Sequence, residues 1–224
     1  ELERFYKHKP LTFISHFLGY EGKGSLLSYL KESGLANNLS AGGGVNGYNF
    51  KDYNISIQLT DRGLARLDEV ISATFEYIEL IKTQGLQPWR YNERAALLQV
   101  AFQYQEQVNA LDLASHLSIN MHHYDVEDVI YGDFRMDGLN FEETQQLLSL
   151  MTPENMRIQL IASELDTNKK AAWYHSPYQI KPIDKQDLIR WGKSPIRQAL
   201  CLPDKNPFII NECIARSDKS KHPV

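Results

Sequence analysis

The seven histidines are the residues with the most useful chemistry, since two of them beside a glutamate can hold zinc and activate a water. Such sites place both imidazoles on one helix face, in the order His-Glu-x-x-His or the inverted His-x-x-Glu-His. Neither order occurs in the chain. The nearest cluster begins at His122 and His123, and adjacent side chains on a helix point about 100° apart, which rarely suits one ion. We therefore predict no metal site and no catalytic residue in this chain.

A glycine-rich stretch, Gly19-Tyr-Glu-Gly-Lys-Gly-Ser25, has some features of a phosphate-binding loop. In those loops the lysine follows the last glycine, whereas Lys23 precedes Gly24 here, and Glu21 would repel a phosphate. The glycines instead indicate a tight turn between two helices, where backbones approach closely. The chain also lacks a Gly-x-Ser-x-Gly turn, and neither of its two cysteines lies in a recognisable nucleophile setting. The residues by themselves thus show no complete catalytic centre.

The composition is that of a folded protein with no strong charge bias. Among 224 residues, 24 Lys and Arg stand against 28 Asp and Glu, and 42% of residues are hydrophobic. A mildly acidic balance without a basic block argues against nucleic acid or a membrane surface as a partner. No apolar run reaches the roughly 18–20 residues that cross a bilayer. The chain opens on Glu1 rather than Met, so we expect a piece of a longer protein.

The elements that would position these residues follow from hydrophobic spacing. Tyr53–Leu59 alternate apolar and polar residues, which predicts a half-buried strand, and the small residues 39–44 allow a short strand before it. An apolar run predicts a further strand over 156–162. Apolar residues at helical spacing predict helices over 11–20, 26–33, 61–84, 88–106, 111–121 and 141–150. Long helices with a few separated strands predict an α+β fold, with helices packed on one side of a sheet.

One long segment resembles a known family: Ile14-Ser-His-Phe-Leu-Gly-Tyr-Glu-Gly-Lys-Gly-Ser-Leu-Leu-Ser-Tyr-Leu-Lys-Glu-Ser-Gly34 is similar to the second domain of the pitrilysin and insulin-degrading-enzyme family. Further blocks in the family's order cover nearly the whole chain, among them Leu59-Thr-Asp-Arg-Gly-Leu64, His123-Tyr-Asp-Val-Glu-Asp128 and Pro153-Glu-Asn-Met-Arg157. The resemblance implies a processing-peptidase-like αβ sandwich with a mainly antiparallel sheet and helices on one face. It implies a domain core at 1–165 and a Pro- and aromatic-rich extension at 166–224 that leads to the linker between the halves of the parent enzyme.

The resemblance also implies a function. Members are zinc endopeptidases of four similar domains, and the inverted zinc motif lies in the first domain, upstream of this segment. The second domain carries an exosite, a site away from the zinc that holds the N-terminal end of the substrate. Carried over position by position, this exosite corresponds to His16, Gly19, Glu21, Leu39, Ser40, Ala41, Gly42 and Gly43. An edge strand without bulky side chains lets a peptide add as a further strand, and Glu21 could bind a free α-amino group.

We therefore expect a non-catalytic fragment of a peptide-degrading zinc metalloendopeptidase, inactive alone, with zinc held by an upstream domain of the parent. Its expected partners are peptide substrates and the other domains of the parent chain, with no nucleic acid and no membrane. Two alternatives stay open: a zinc-free scaffold subunit related to processing peptidases, and a free-standing helical binding module. The tail at Lys205-Asn-Pro-Phe208 favours a bacterial source, hence the periplasm, and a non-bacterial source would favour the cytoplasm.

Overall fold

The computed structural model describes residues 3–47 and 50–209 of the chain. Its longer elements are helices α1 (Pro10–Leu18), α2 (Leu26–Glu32), α3 (Asp61–Ala65), α4 (Leu67–Leu80), α5 (Pro88–Gln103), α6 (Ala110–Asn120), α7 (Phe141–Ser149) and α8 (Lys185–Lys193), and strands β1 (Ala36–Asn46), β2 (Lys51–Leu59), β3 (Lys169–Lys170) and β4 (Pro177–Tyr178). A π-helical turn, Ile81–Gly85, continues α4. The predicted α+β class is confirmed.

Several helices begin where the sequence predicts, because local capping groups fix their first turns. Pro10 opens α1 at a position where an N–H has no helical partner. The Ser25 hydroxyl accepts the Ser28 N–H at 3.0 Å and so caps α2. The Thr60 hydroxyl caps α3 in the same way and also donates to the Gly34 carbonyl at 2.7 Å.

The single helix predicted over 61–84 is wrong, since the backbone leaves the helical region at Arg66 and divides it into α3 and α4. α3 lies against the backbone of Leu35, where a Cβ at Gly63 would be only 1.9 Å from the carbonyl oxygen. α4 instead packs on the hydrophobic core through residues such as Val70 and Tyr77. The break therefore lets each helix meet a different neighbour.

The sheet that matters for the site is an antiparallel hairpin of β1 and β2. Its register pairs Leu39 with Ile57 and Gly42 with Asn54. The predicted half-buried strand 53–59 is confirmed, and β1 is longer than predicted. The strand predicted over 156–162 is wrong: that segment pairs with no strand among the described residues. The segment forms no strand-to-strand hydrogen bonds, and its residue Ile161 is largely exposed instead of buried against a neighbouring strand.

The hydrophobic core lies between the hairpin and the helices on one of its faces. Phe13 and Phe17 of α1 are fully buried, and the Phe13 ring meets that of Tyr91 edge-on at 5.3 Å. The C-terminal extension reaches the same core through Leu200 and Leu202. It also contains α8, which the sequence analysis did not predict. None of the helices in the described part of the chain has the length and apolar character needed to cross a membrane.

Candidate binding site

A cleft of about 460 Å³ lies beside α1, and we call it the α1 cleft. It is bounded by α1, the turn that follows, the joined ends of β1 and β2, and α5. Its lining residues are Leu11, Thr12, Ser15, His16, Gly19, Tyr20, Glu21, Gly43, Lys51 and Arg94. Four of the eight predicted site residues therefore come together here, although they belong to two separate segments of the chain.

The α1 wall of the cleft is fixed to the sheet by a hydroxyl pair. The Tyr53 hydroxyl donates to Ser15 Oγ at 3.1 Å, and the Ser15 hydroxyl donates to the Leu11 carbonyl at 2.7 Å. Burial raises the pKa of Tyr53 to about 12, so the phenol stays neutral and remains a donor at physiological pH. Since both hydroxyls are engaged, this pair serves to hold α1 against β2 and not to provide a nucleophile.

His16 is the half-buried imidazole of the cleft. Burial lowers its pKa below the usual value, and the positive charges of Arg94 and Arg90 lower it further. The ring is therefore neutral near pH 7 and offers one donor and one acceptor to a ligand. A neutral polar contact suits a peptide backbone, which presents both kinds of group.

The turn after α1 presents a free carboxylate to the cleft. The Gly19 N–H closes the end of the helix by donating to the Ser15 carbonyl at 2.9 Å. Glu21 follows on the exposed turn and forms no ion pair with any described residue. A carboxylate held beside a helix end and left unpaired can accept a charged hydrogen bond from a ligand amine.

The outer edge of β1 carries backbone groups that β2 does not use. The Leu39 N–H donates to the Asn38 side-chain oxygen at 2.8 Å, which marks the backbone polar groups of Leu39 as facing away from β2. Because these groups alternate along a strand, Ala41 and Gly43 face the same way. β1 pairs with β2 alone among the described residues. The outer edge can thus accept one more strand.

The side chains of β1 are small where that edge approaches the cleft. Leu39 is buried in the core and its N–H is already bonded to Asn38, so only its backbone carbonyl is left for a ligand. Ser40 is exposed on the opposite face, and a Cβ added at Gly42 would meet nothing within 4 Å. Gly43 alone of these residues lines the α1 cleft. Residues 39–42 form a strand edge that leads to the cleft.

Two cations of the cleft were missed by the sequence analysis. Lys51 lies across the end of β1, since a Cβ at Gly43 would be 2.6 Å from its Cε. Arg94 reaches the cleft from α5, and burial lowers the pKa of its guanidinium. Arg90 and Arg94 are four residues apart, which places them on one face of a helix, and that spacing was the available signal.

No metal site accompanies these groups. Among residues 3–47 and 50–209, no three His, Cys, Asp or Glu side chains lie close enough together to hold an ion. His122 and His123, the nearest cluster in the sequence, lie at an exposed turn after α6. The donors of the described chain therefore do not fit zinc. Cys201 is a free, exposed thiol, and Cys213 lies outside the described residues.

The fold and this site define a class of protein. A crystal structure of pitrilysin matches 92% of this chain with a TM-score of 0.82 and 29% sequence identity, and the chain covers 22% of that structure. The predicted pitrilysin-type fold is thus confirmed.

Family comparison then gives the membership. Residues 1–98 match the model described as the inactive domain of peptidase M16, and residues 102–224 match its middle or third domain. The chain belongs to the M16 peptidase family, which confirms the predicted resemblance. Peptidases of this family are in general zinc-dependent.

Individual relatives agree with this assignment. The chain is 34% identical to a nardilysin-like protein of Arabidopsis thaliana over 93% of its length. It is 28% identical to human insulin-degrading enzyme over 92% of its length and 31% identical to protease 3 of Escherichia coli over 97%. The chain spans between 20% and 23% of these relatives. It corresponds to a non-catalytic part of a peptidase, and the predicted division at residue 165 stays a prediction.

Proposed function

We propose that this chain anchors the N-terminal segment of peptide substrates for a parent zinc metalloendopeptidase and forms part of the wall of its chamber. The observation that carries the proposal is the outer edge of β1, which pairs with no strand of the described residues and leads to the α1 cleft. Membership in the M16 family supplies the context, since the named relatives are peptidases. The zinc would belong to another domain of the parent, because the residues described here do not fit it.

The anchoring follows from backbone chemistry. A peptide strand beside β1 would exchange hydrogen bonds with the outward backbone groups of Ala41 and Gly43. Such bonds do not depend on the side chains of the peptide, which suits a protein that accepts many sequences. The Glu21 carboxylate would then accept a hydrogen bond from the α-amino group at the N-terminus of the peptide. The neutral His16 ring would contact the peptide backbone beside it.

Holding a peptide at one end contributes to catalysis by position. Each peptide residue held along β1 is ordered before the reaction. The substrate therefore loses less entropy when its scissile bond is placed in the active site of the parent. The same contact sets a distance between the substrate N-terminus and the cleavage point. The chain therefore influences which bond is cut without supplying a reacting group.

The experiment measures binding of a decapeptide with a free N-terminus and a C-terminal fluorophore, by fluorescence anisotropy. Ala41→Pro removes the outward N–H and places a ring at the edge, a position where proline leaves the pairing with β2 intact. We expect at least tenfold weaker binding. Gly42→Ala is the matched control, because its new Cβ enters open space and the edge is unchanged.

Thermal unfolding of the Ala41→Pro variant establishes that the hairpin is intact. Acetylation of the peptide N-terminus should also weaken binding, since Glu21 loses its charged partner. Equal affinity of the Ala41→Pro and parent chains would refute strand addition. A complete lack of binding would instead favour the zinc-free scaffold alternative. The periplasmic location in a bacterial source stays a prediction, and cell fractionation tests it.

A further inference from the structure

The α1 cleft holds two cations that have no carboxylate partner among the described residues. Arg94 is half-buried, and its Nε is fully buried with no hydrogen-bond partner among the described residues. Lys51 also forms no ion pair within the described part of the chain. Burial is the single cause of a lowered pKa at Arg94. A nearby acid would raise this pKa, so the downward direction agrees with the lack of one.

Several other arginines of the described chain are paired with acids, whereas Arg90 shares the buried, unpartnered Nε but donates through Nη1 to the Pro203 carbonyl. Arg135, Arg190 and Arg197 each bind at least one carboxylate. A buried guanidinium N–H without a partner is unfavourable, and structures normally satisfy such groups. The buried Nε itself is out of reach of a ligand, but the Nη groups of Arg94 also bond no described residue, so a carboxylate in the cleft can bind them.

We propose that the α1 cleft prefers peptides with an acidic side chain close to their N-terminus, bound by Arg94 with Lys51 assisting. This inference rests on the proposed function, in which the peptide lies along β1 with its α-amino group at Glu21. One carboxylate and two cations in the same cleft match a ligand that carries an amine followed by an acid. The charges of the cleft would therefore provide selectivity that backbone hydrogen bonds lack.

The size of the cleft limits where the acidic residue lies. A volume of about 460 Å³ corresponds to a width on the order of 8 Å, and an extended peptide advances about 3.3 Å per residue. The cleft thus accommodates two or three residues, and the acid falls at the second or third position. Side chains alternate along a strand, so only one of these two positions faces Arg94.

Arginine suits this task better than lysine. Its planar guanidinium binds a carboxylate through two parallel hydrogen bonds, whereas the lysine ammonium acts as a point charge. The two cations would also repel a basic side chain at the same position, so discrimination comes from both attraction and repulsion. Arg94 is accordingly the specificity-determining residue, and Lys51 adds to the positive potential of the cleft.

The test compares two decapeptides that differ only by Glu or Gln at both the second and third positions. Each carries a free N-terminus and a C-terminal fluorophore, and affinity for the 224-residue chain is read by anisotropy. We expect the Glu peptide to bind about five- to tenfold more tightly, as a partly buried charged hydrogen bond provides. The preference should decrease at high salt.

Variants of the chain test whether the preference for the Glu peptide comes from Arg94. Arg94→Gln should reduce it to within about twofold, and Arg94→Lys should retain part of it because the charge remains. Arg157→Gln, an exposed arginine outside the cleft, is the matched control and should preserve the full preference. If Arg94→Gln does not fold, Lys51→Gln provides the second variant, with a smaller but measurable loss of preference.

The outcomes separate this inference from the proposed function. If both peptides bind equally well and acetylation still weakens them, anchoring stands and the acidic preference is overturned. A preference that survives Arg94→Gln also overturns it. If neither peptide binds, the proposed function fails and this inference fails with it. Only a Glu preference that Arg94→Gln removes and Arg157→Gln preserves supports the inference.

Discussion

Replacing Arg197 with methionine should destabilise the whole fold, because Arg197 joins the C-terminal extension to α4. Its Nη2 lies 3.1 Å from Oε1 of Glu76, and its backbone N–H donates to Oε2 of the same carboxylate at 3.1 Å. Its Nη1 also bonds the Tyr29 hydroxyl at 3.1 Å. Glu76 is only 3% exposed. Arg197→Met would therefore leave a buried carboxylate without its cation.

The size of the effect follows from that burial. Removal of one partner of a buried ion pair costs about 3–5 kcal/mol of unfolding free energy. The Arg197 side chain is 26% exposed, and one backbone bond to Glu76 remains, so we expect the lower end, about 3 kcal/mol. At about 2–4 °C per kcal/mol for a chain of this size, the melting temperature should fall by roughly 6–12 °C.

Urea unfolding at pH 7 measures this loss, and the double variant Arg197→Met/Glu76→Leu is the control. Since the double variant has no buried charge, it should recover stability to within about 1 kcal/mol of the parent chain. A loss below about 1 kcal/mol in Arg197→Met would refute the assigned role of the pair. Failure of the double variant to recover would attribute the loss to packing or to the backbone N–H of residue 197, which Glu76→Leu leaves without its acceptor.

The pH dependence provides a second check on the same pair. Burial raises the pKa of Glu76 above its ordinary value, although Arg197 acts in the opposite direction. A raised carboxyl pKa means that the folded state binds the proton more readily, so its contribution to stability falls as the pH rises through that pKa. Without Arg197 the pKa should rise further. The deficit of Arg197→Met should thus be full at pH 7 and shrink toward pH 4.

Three further predictions concern the frame of the cleft. Gly63→Ala should destabilise the chain by at least about 2 kcal/mol in urea unfolding, because its Cβ would lie 1.9 Å from a backbone oxygen; an unchanged midpoint would contradict this packing. Ser25→Ala should cost about 1 kcal/mol by loss of the α2 cap, seen as a lower melting temperature, and a neutral effect would mean that water replaces the cap. Tyr53 should titrate only near pH 12 in an absorbance titration compared with Tyr53→Phe, and ionisation near pH 10 would show that its ring is not buried.

Local signals predicted much of the fold, and elements that depend on distant partners were the ones missed. α1 and α2 follow from Pro10 and Ser25, which act within one turn of the chain. The strand expected over 156–162 failed because periodicity does not supply a neighbouring strand. α8 was missed because it is short and four of its nine residues are charged. Its buried residue, Trp191, donates to Asp68 of α4 at 2.7 Å.

The site shows the same division between local and distant information. His16, Gly19, Glu21 and Gly43 came from the family resemblance, and the structure places all four in the α1 cleft. Arg94 could not be assigned to it from sequence, because that position depends on how α5 packs against α1. Spacing along α5 indicates which face the residue lies on but not which cleft that face meets.

The proposed binding mode separates residues that would set affinity from those that would select among peptides. Leu39 fixes β1 to the core, and the Tyr53–Ser15 hydrogen bond fixes α1 to the sheet. Changes to these residues move the edge and the cleft together, so they should weaken all peptides by a similar factor. In that mode Arg94 would contact the peptide only through its side chain, so its loss should affect acidic peptides alone. Measuring the affinity of several peptides for one variant therefore distinguishes a displaced strand edge from the loss of the Arg94 contact. The two kinds of variant can bind a single peptide equally weakly and still differ in this comparison.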